Sequence, residues 1–361
     1  MRLKQFTQVS QKELFKLREE DELLITPKTQ KLIEVLELIM IEKYVFNNLG
    51  EVGRNKLDRV ALARSLVAKI VLGITTTEGL IERLRTDVSL RRICGFSRYQ
   101  IIATSSTFSR ANQEFAEMGL ANKVHEALIK RELGDQLMCH MKYDGTAIEA
   151  REKAAKKEKL VPKPKRKRGR PRKGEVVEPK APTILQKQQN QTLEQMLEEM
   201  PKQCDCGTKK DAKGFKHSWK GYKLHIATGD NDIPIAAVLS SASMHDSGAI
   251  LPLMELAKQR TTWLYDLADS AYCSDIIRDT SRQNDRVPLI EHNPRNSEKI
   301  EFLPHEARRY NERSGAERPN SNLKDNRGGR YITTRGHQKV FSHLMFGILV
   351  LAAEQLLRLV T

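Results

Sequence analysis

At about residue 135 the apolar residues of this 361-residue chain stop recurring at helical spacing and begin to alternate. A 3.6-residue repeat builds one-sided helices and a two-residue repeat builds strands, so the change divides the chain into two kinds of structure. Upstream, TQKLIEVLELIMIEKYVFNNLG carries a helical repeat closing on Gly50, and LDRVALARSLVAKIVLGI carries another from 57 to 74. TTTEGLIERLRTDVSLRRICGF offers two capped short helices, the second ending at Gly95. TSSTFSRANQEFAEMGL puts Phe108, Ala111, Phe115 and Met118 on one face of a further helix. Residues 1–135 therefore read as an all-helical domain, suited to DNA binding or dimerisation and equally consistent with a plain bundle.

Downstream, QLMCHMKYDGT alternates through Leu137, Cys139, Met141 and Tyr143, which predicts a strand ending at Asp144-Gly145. WKGYKLHIAT and IPIAAVLSSA, joined by GDND, predict a hairpin, and SGAILPLMELAKQ an amphipathic helix. TTWLYDLADS predicts a strand closing on Asp269, SDIIRDTSRQN a helix, and VPLIEHN a last strand. A hairpin gives antiparallel pairing and crossover helices give parallel pairing, so residues 136–361 predict an α/β domain with a mixed sheet.

The net charge is +16, and most of it is local: residues 151–180 hold 14 Lys/Arg against 4 Glu. This stretch, REKAAKKEKLVPKPKRKRGRPRKGEVVEPK, has too few large apolar groups to offset its ordering entropy. It is read as part of a basic, largely disordered insertion over about 151–212, with a short helix in QTLEQMLEEM. Such concentrated positive charge points to a polyanionic partner. Within it, Arg168, Gly169, Arg170 and Pro171 look like an AT-hook, whose arginines suit the negative potential of a narrow minor groove. A plain basic linker that binds any phosphate backbone is the alternative. Cys204-Asp-Cys206 lacks the further ligands a structural zinc needs and reads as a turn. The N-terminus has no apolar signal segment, and LMFGILVLAA reads as part of a buried helix too short to span a bilayer. A cytoplasmic, nucleoid-associated protein with no membrane partner is the expectation.

RRYNERSGAERPNSNLKDNRGGR, residues 308–330, carries the chemistry. From Tyr310, steps of three, four and seven lead to Arg313, Glu317 and Lys324, which would share one face of a continuous helix. Pro319 argues for a kink or a new helix start near 314–319. Ser314-Gly-Ala-Glu317 also fits a capping box, a role that excludes metal ligation by the same carboxylate geometry. Three carboxylates, from Asp144, Asp269 and Glu317, repel one another at a shared site unless a cation joins them. Mg²⁺ suits such oxygen ligands and leaves positions for water and phosphate oxygens.

These motifs together resemble the DDE transposases of bacterial and archaeal insertion sequences, in the group with a Tyr-Arg-Glu-Lys signature. Tyr310, Arg313, Glu317 and Lys324 match each gap of that signature. DGTAIEAREK resembles the first-Asp motif, WKGYKLH with SMHDS the central strands, LADSAY the second-Asp motif, and TEGLIERLRTDVSLRRICGF with SSTFSRANQEF the helical N-terminal domain. The resemblance implies an RNase H-like catalytic domain with Asp144, Asp269 and Glu317 as catalytic residues on two Mg²⁺ ions, Mn²⁺ being able to substitute. It implies hydrolytic nicking at the element's ends and strand transfer by the freed 3′-OH into target DNA. Tyr310, Arg313 and Lys324 would contact DNA, and the partners would be double-stranded terminal repeats, target DNA and a second copy of the chain in a synaptic complex. The competing expectation is a catalytically inactive DNA-binding protein derived from a transposase.

Overall fold

The computed structural model describes residues 25–46, 56–97, 99–155, 181–210, 213–294 and 298–360. Among the described residues, six α-helices precede the first strand. Helix α1 (Pro27–Ile39) starts where Thr26 accepts the Thr29 N–H and Pro27 presets the first turn. It stops at Met40, whose left-handed backbone (φ 47°) lets its N–H return to the Leu36 carbonyl. The expected continuation towards Gly50 is therefore cut short, and Gly50 itself lies outside the described residues. A left-handed cap is ordinarily Gly or Asn, so a methionine there gave no signal.

Helices α2 (Arg59–Val71), α3 (Thr77–Thr86) and α4 (Val88–Cys94) are capped by the side chains of Asp58, Thr76 and Asp87. α4 ends on Gly95 at φ 98°, as its sequence predicts. Helix α5 (Ser105–Glu117) buries Phe108, Ala111 and Phe115. Helix α6 (Leu120–Leu133), which the sequence reading passed over, buries Leu120, Val124, Leu128 and Leu133.

Strand β1 (Leu137–Glu149) forms the centre of a six-stranded mixed sheet. It runs five residues past Asp144, because Gly145 to Glu149 continue pairing with a neighbouring strand. Asp144 is thus mid-strand, not at a strand end. The segment 151–212 is also more ordered than expected where it is described: it contains α7 (Ile184–Gln188), α8 (Leu193–Glu199) and strand β2 (Asp205–Lys210). Its few apolar side chains suffice because the sheet domain completes their burial; Met196, Met200 and Cys204 are all inside. The Cys204-Asp-Cys206 stretch accordingly leads into β2 and is not a turn.

Strands β3 (Lys216–Thr228) and β4 (Pro234–Ser241) make the expected hairpin, turning through a 3₁₀ segment at Asp230–Asp232. Helix α9 (Ser247–Lys258), strand β5 (Thr262–Ala268), helix α10 (Asp275–Gln283) and strand β6 (Val287–Ile290) complete the crossovers. β1 pairs antiparallel with β3 and parallel with β5, and β6 adds in parallel to β5. β2 and β4 share the far edge of β3, pairing with its first and second halves. The mixed sheet is the one the order of elements predicts.

Helices α11 (Pro304–Tyr310) and α12 (Glu317–Asn326) are separated by a 3₁₀ segment over Asn311–Ala316. The new helix start expected near 314–319 is found at Glu317, so no single helical face runs from Tyr310 to Lys324. Pro319 has no N–H to return to the preceding turn, and the chain tightens before α12 begins. The last helix, α13 (His337–Val360), is long and apolar enough to cross a membrane, yet it is mostly buried inside the fold. It packs on α1, α2, α5, α6 and β4, so one continuous core joins the helices to the sheet. Its buried Glu354 accepts from Arg327 at the end of α12 (Nη2–Oε1 2.6 Å) and from Lys31 of α1 (2.9 Å).

Candidate active site

The register of the parallel strands brings two aspartates together. Lys142 of β1 faces Leu267 of β5, so two residues further along each strand the count reaches Asp144 and Asp269. Adjacent strands lie about 4.8 Å apart, which makes these residues neighbours at the end of the β1–β5 ladder. Asp269 caps the short 3₁₀ segment Ser270–Tyr272, accepting the Ala271 N–H at 2.9 Å. Burial holds both carboxyl groups above the usual carboxylate range, opposed at Asp144 by the Asn320 amide and at Asp269 by the Ala271 N–H. The positive charges of Lys209 and Arg313 oppose the shift at both. Asp266, the competitor of Asp269 in the same strand, is structural: its Oδ1 accepts from the buried Tyr143 hydroxyl (2.8 Å) and from the Trp263 indole (2.7 Å).

A third carboxylate, Asp246, reaches the same region from the start of α9. Its Oδ1 lies 3.0 Å from Lys223 Nζ and 3.8 Å from Nδ1 of buried His225. The approach is so close that a Cβ on Gly145 would sit 2.9 Å from Asp246 Oδ1 and 3.2 Å from His225 Nδ1. A side chain at position 145, next to Asp144, would thus require Asp246 to shift. Burial pushes the His225 imidazole down to about 4, with Asp246 opposing, so the ring is neutral at pH 7, and its Nε2 pairs with the Ser240 hydroxyl at 2.9 Å. The buried Tyr272 hydroxyl sits in the field of Asp246, Asp144 and Asp269, which together with burial hold it well above its usual range.

The Tyr310–Lys324 stretch closes over this region. The 3₁₀ segment packs on β1, β3 and β5, and a Cβ on Gly315 would come within 2.6 Å of Lys142 Nζ. Arg318 holds the start of α12 to the β3–β4 turn, its Nη2 donating to Asp232 Oδ1 at 2.8 Å. With Arg318 so fixed, Asn320 faces the sheet and donates from Nδ2 to Asp144 Oδ2 at 2.8 Å. Glu317 instead faces outward, its side chain 64% exposed and 3.5 Å from Arg313 Nη2. The capping box does not form either, since the Ser314 hydroxyl donates to the Asn311 carbonyl. Among the described residues no three His, Cys, Asp or Glu side chains converge as a metal-binding group.

Arg313 stands between the two halves, paired to Glu317 and close enough to both aspartates to stabilise their ionised forms. Tyr310 is half-buried against Phe302, with ring centroids 4.7 Å apart, and burial pushes its hydroxyl up to about 12. Lys324 is lowered by burial and by Arg330 and Lys209, while Asp144 pulls it back. Sequence reading missed Lys209, since β2 was unrecognised, and Asn320, whose one signal is its place one turn after Glu317. The AT-hook-like Arg168, Gly169, Arg170 and Pro171 lie outside the described residues.

The donors that would fit a divalent cation are Asp144 and Asp269: two hard oxygen ligands, adjacent and partly desolvated, whose ionised forms favour a counter-charge. Glu317 fits only after a change in its orientation. The sequence matches the transposase DDE domain family over residues 136–352 and the transposase domain DUF772 over residues 16–114. No curated protein and no solved structure matches.

Proposed function

This chain belongs to the DDE transposases of insertion sequences, whose domain implies an RNase H-like fold, and from that premise we propose that it cuts and joins DNA at Asp144, Asp269 and Glu317. The observation that carries the reading is that Asp144 and Asp269 each lie two residues beyond the last paired position of the parallel β1–β5 ladder, with the charge of Arg313 acting on both.

The family uses divalent metal ions; here Asp144 and Asp269 would hold them, joined by Glu317, with Mg²⁺ or Mn²⁺ stabilising charge on the phosphoryl oxygens and activating the attacking oxygen. The chain's own side chains bind and orient the DNA. Lys209 and Lys324 flank Asp144 and offer ammonium groups to the phosphodiester backbone. Tyr310 stays protonated at pH 7 and donates a hydrogen bond without adding negative charge. Arg313, which counters the aspartates and Glu317 in the free protein, can turn to a phosphate when DNA arrives. In this reading the reaction is hydrolytic nicking at the element's ends followed by 3′-OH attack on target DNA, in a synaptic homodimer in the cytoplasm. The helices up to residue 135 serve as a DNA-binding or dimerisation domain, and residues 136–361 as the catalytic domain.

Duplexes carrying the element's terminal repeats, incubated with Mg²⁺, test the proposal. Asp144→Ala, Asp269→Ala and Glu317→Ala each abolish cleavage while DNA binding persists. A variant that cuts at the wild-type rate removes its residue from the triad. The outward Glu317 favours one rival, a DNA-binding protein that no longer cuts. That rival wins if the wild-type chain binds the repeats but cleaves them with neither Mg²⁺ nor Mn²⁺.

A further inference from the structure

Away from the aspartates, a cavity of about 500 Å³ opens between α2, α3, α5, the start of α13 and the loop before it. Lys69 of α2 lines it while being only 5% exposed. Among the described residues no carboxylate or carbonyl pairs with its ammonium. Burial lowers the Lys69 ammonium from its usual range, with Glu78 opposing. A cation this desolvated, on which Glu78 acts only from beyond salt-bridge range, is costly to keep.

The remaining lining supplies what an anion needs. Arg151, Arg335 and Lys339 add three cationic side chains. Among the described residues the only lining acid is Glu78, which accepts from the Ser105 hydroxyl at 2.8 Å. Thr77 and Ser105 open α3 and α5, so the N-terminal ends of two helices of 10 and 13 residues face the cavity. Thr104, at the start of α5, makes no side-chain cap, and with the Thr107 N–H bonded to the Thr104 carbonyl at 3.0 Å it is the N–H groups of Ser105 and Ser106 that are left to an outside acceptor. Thr334 contributes a hydroxyl oxygen that is buried and has no hydrogen-bond partner. His343 at the back is not a competing charge, because burial pushes it down to about 4 and its Nε2 pairs with the Gly328 carbonyl at 3.0 Å.

We propose that this cavity seats a phosphate group of the DNA backbone, with Lys69 as its buried counter-charge and Arg151, Arg335 and Lys339 around its mouth. The identity of the phosphate as DNA rests on the transposase reading; the preference for a phosphate rests on the cavity itself. The contact carries no sequence information and would fix where the helical part of the chain lies along the duplex.

The test uses the full chain and a short duplex of arbitrary sequence, with binding followed by fluorescence anisotropy across a range of salt concentrations. Lys69→Met keeps the stem's volume and removes the charge, so its Tm should equal or exceed that of the wild type. Its duplex affinity at low salt should fall roughly tenfold, and the slope of log K against log salt should shrink by about 1. Arg335→Gln, an exposed change at the mouth, should also reduce the slope, and it decides the matter if Lys69→Met fails to fold. The inference is overturned if both variants bind the duplex as the wild type does. It is overturned as well if inorganic phosphate raises the wild-type Tm, but not that of Lys69→Met, while duplex binding is unchanged: the cavity would then hold a free anion. A wild-type chain that does not bind duplex DNA would sink the transposase reading too, whereas tight wild-type binding with unaffected variants sinks only this inference.

Discussion

The amide of Asn320 donates to Oδ2 of Asp144 at 2.8 Å, occupying an oxygen that a metal ion would take, while Glu317 one turn earlier points away. Three residues on an α-helix subtend about 300°, so a rotation of roughly 60° about the axis of α12 would exchange the two side chains. Arg318 on Asp232 opposes that rotation. We therefore read the observed arrangement as the resting form and expect DNA binding to favour the other. Removing the competitor should ease metal entry: Asn320→Ala should lower the Mg²⁺ concentration for half-maximal cleavage by about three- to tenfold, the worth of one modest hydrogen bond. A rise instead would mean that Asn320 positions Asp144 in the working site.

The raised carboxyl groups of Asp144 and Asp269 give a prediction with a definite sign. A carboxyl whose folded-state pKa exceeds its unfolded value favours the folded state when protonated, and that contribution is lost as pH rises through the folded pKa. Without metal, both side chains therefore favour the fold less as pH rises. Asp144→Asn and Asp269→Asn should thus raise Tm at pH 7 by on the order of 1–3 °C. The difference should vanish below about pH 4, where the wild-type carboxyls are protonated too. Mg²⁺ should raise the wild-type Tm and leave both variants nearly unmoved. Thermal unfolding across pH, with and without Mg²⁺, checks all three statements, and lower Tm values for the variants at pH 7 would overturn the first.

The sheet was legible because its signals are local. Alternation located β1, β3 and β5, the apolar runs located α9, and Asp269 was placed at its strand end by the motif around it. What failed depended on distant partners. Asp-Gly predicts a strand end because the pair usually marks a turn, whereas Gly145 continues the ladder with β3 and lies close against the side chains of Asp246 and His225. β2 was read as a turn because its ordering comes from the edge of β3 and from burial of Cys204, neither visible in CDCG. The spacing of Tyr310, Arg313, Glu317 and Lys324 marks the stretch, and Pro319 correctly predicts a new helix start within 314–319, but neither says which side chain turns to the sheet. The 3₁₀ segment and the Arg318–Asp232 bridge then decide that Asn320, and not Glu317, meets Asp144.

The position of α12 also depends on a contact far from the aspartates. Gly347 of α13 lets Leu323 approach so closely that an added Cβ would lie 2.6 Å from Leu323 Cδ1 and 2.8 Å from the Arg327 carbonyl. Both groups belong to α12 or its end, and Arg327 is tied to Glu354 one helical stretch further along α13. The neighbours of Gly347 include a backbone oxygen, which cannot swing aside as a side-chain tip can. Gly347→Ala must therefore push α12 off α13. Overpacking of this kind costs about 1–3 kcal/mol, which urea unfolding would register. If α12 carries Glu317 to the aspartates, the same displacement should lower strand cleavage by tenfold or more, because a misplacement of about 1 Å can cost 10²-fold. Binding to an arbitrary duplex should change far less. Equal losses of cleavage and binding would mean that the helix contributes to DNA affinity and not to the placement of the third carboxylate.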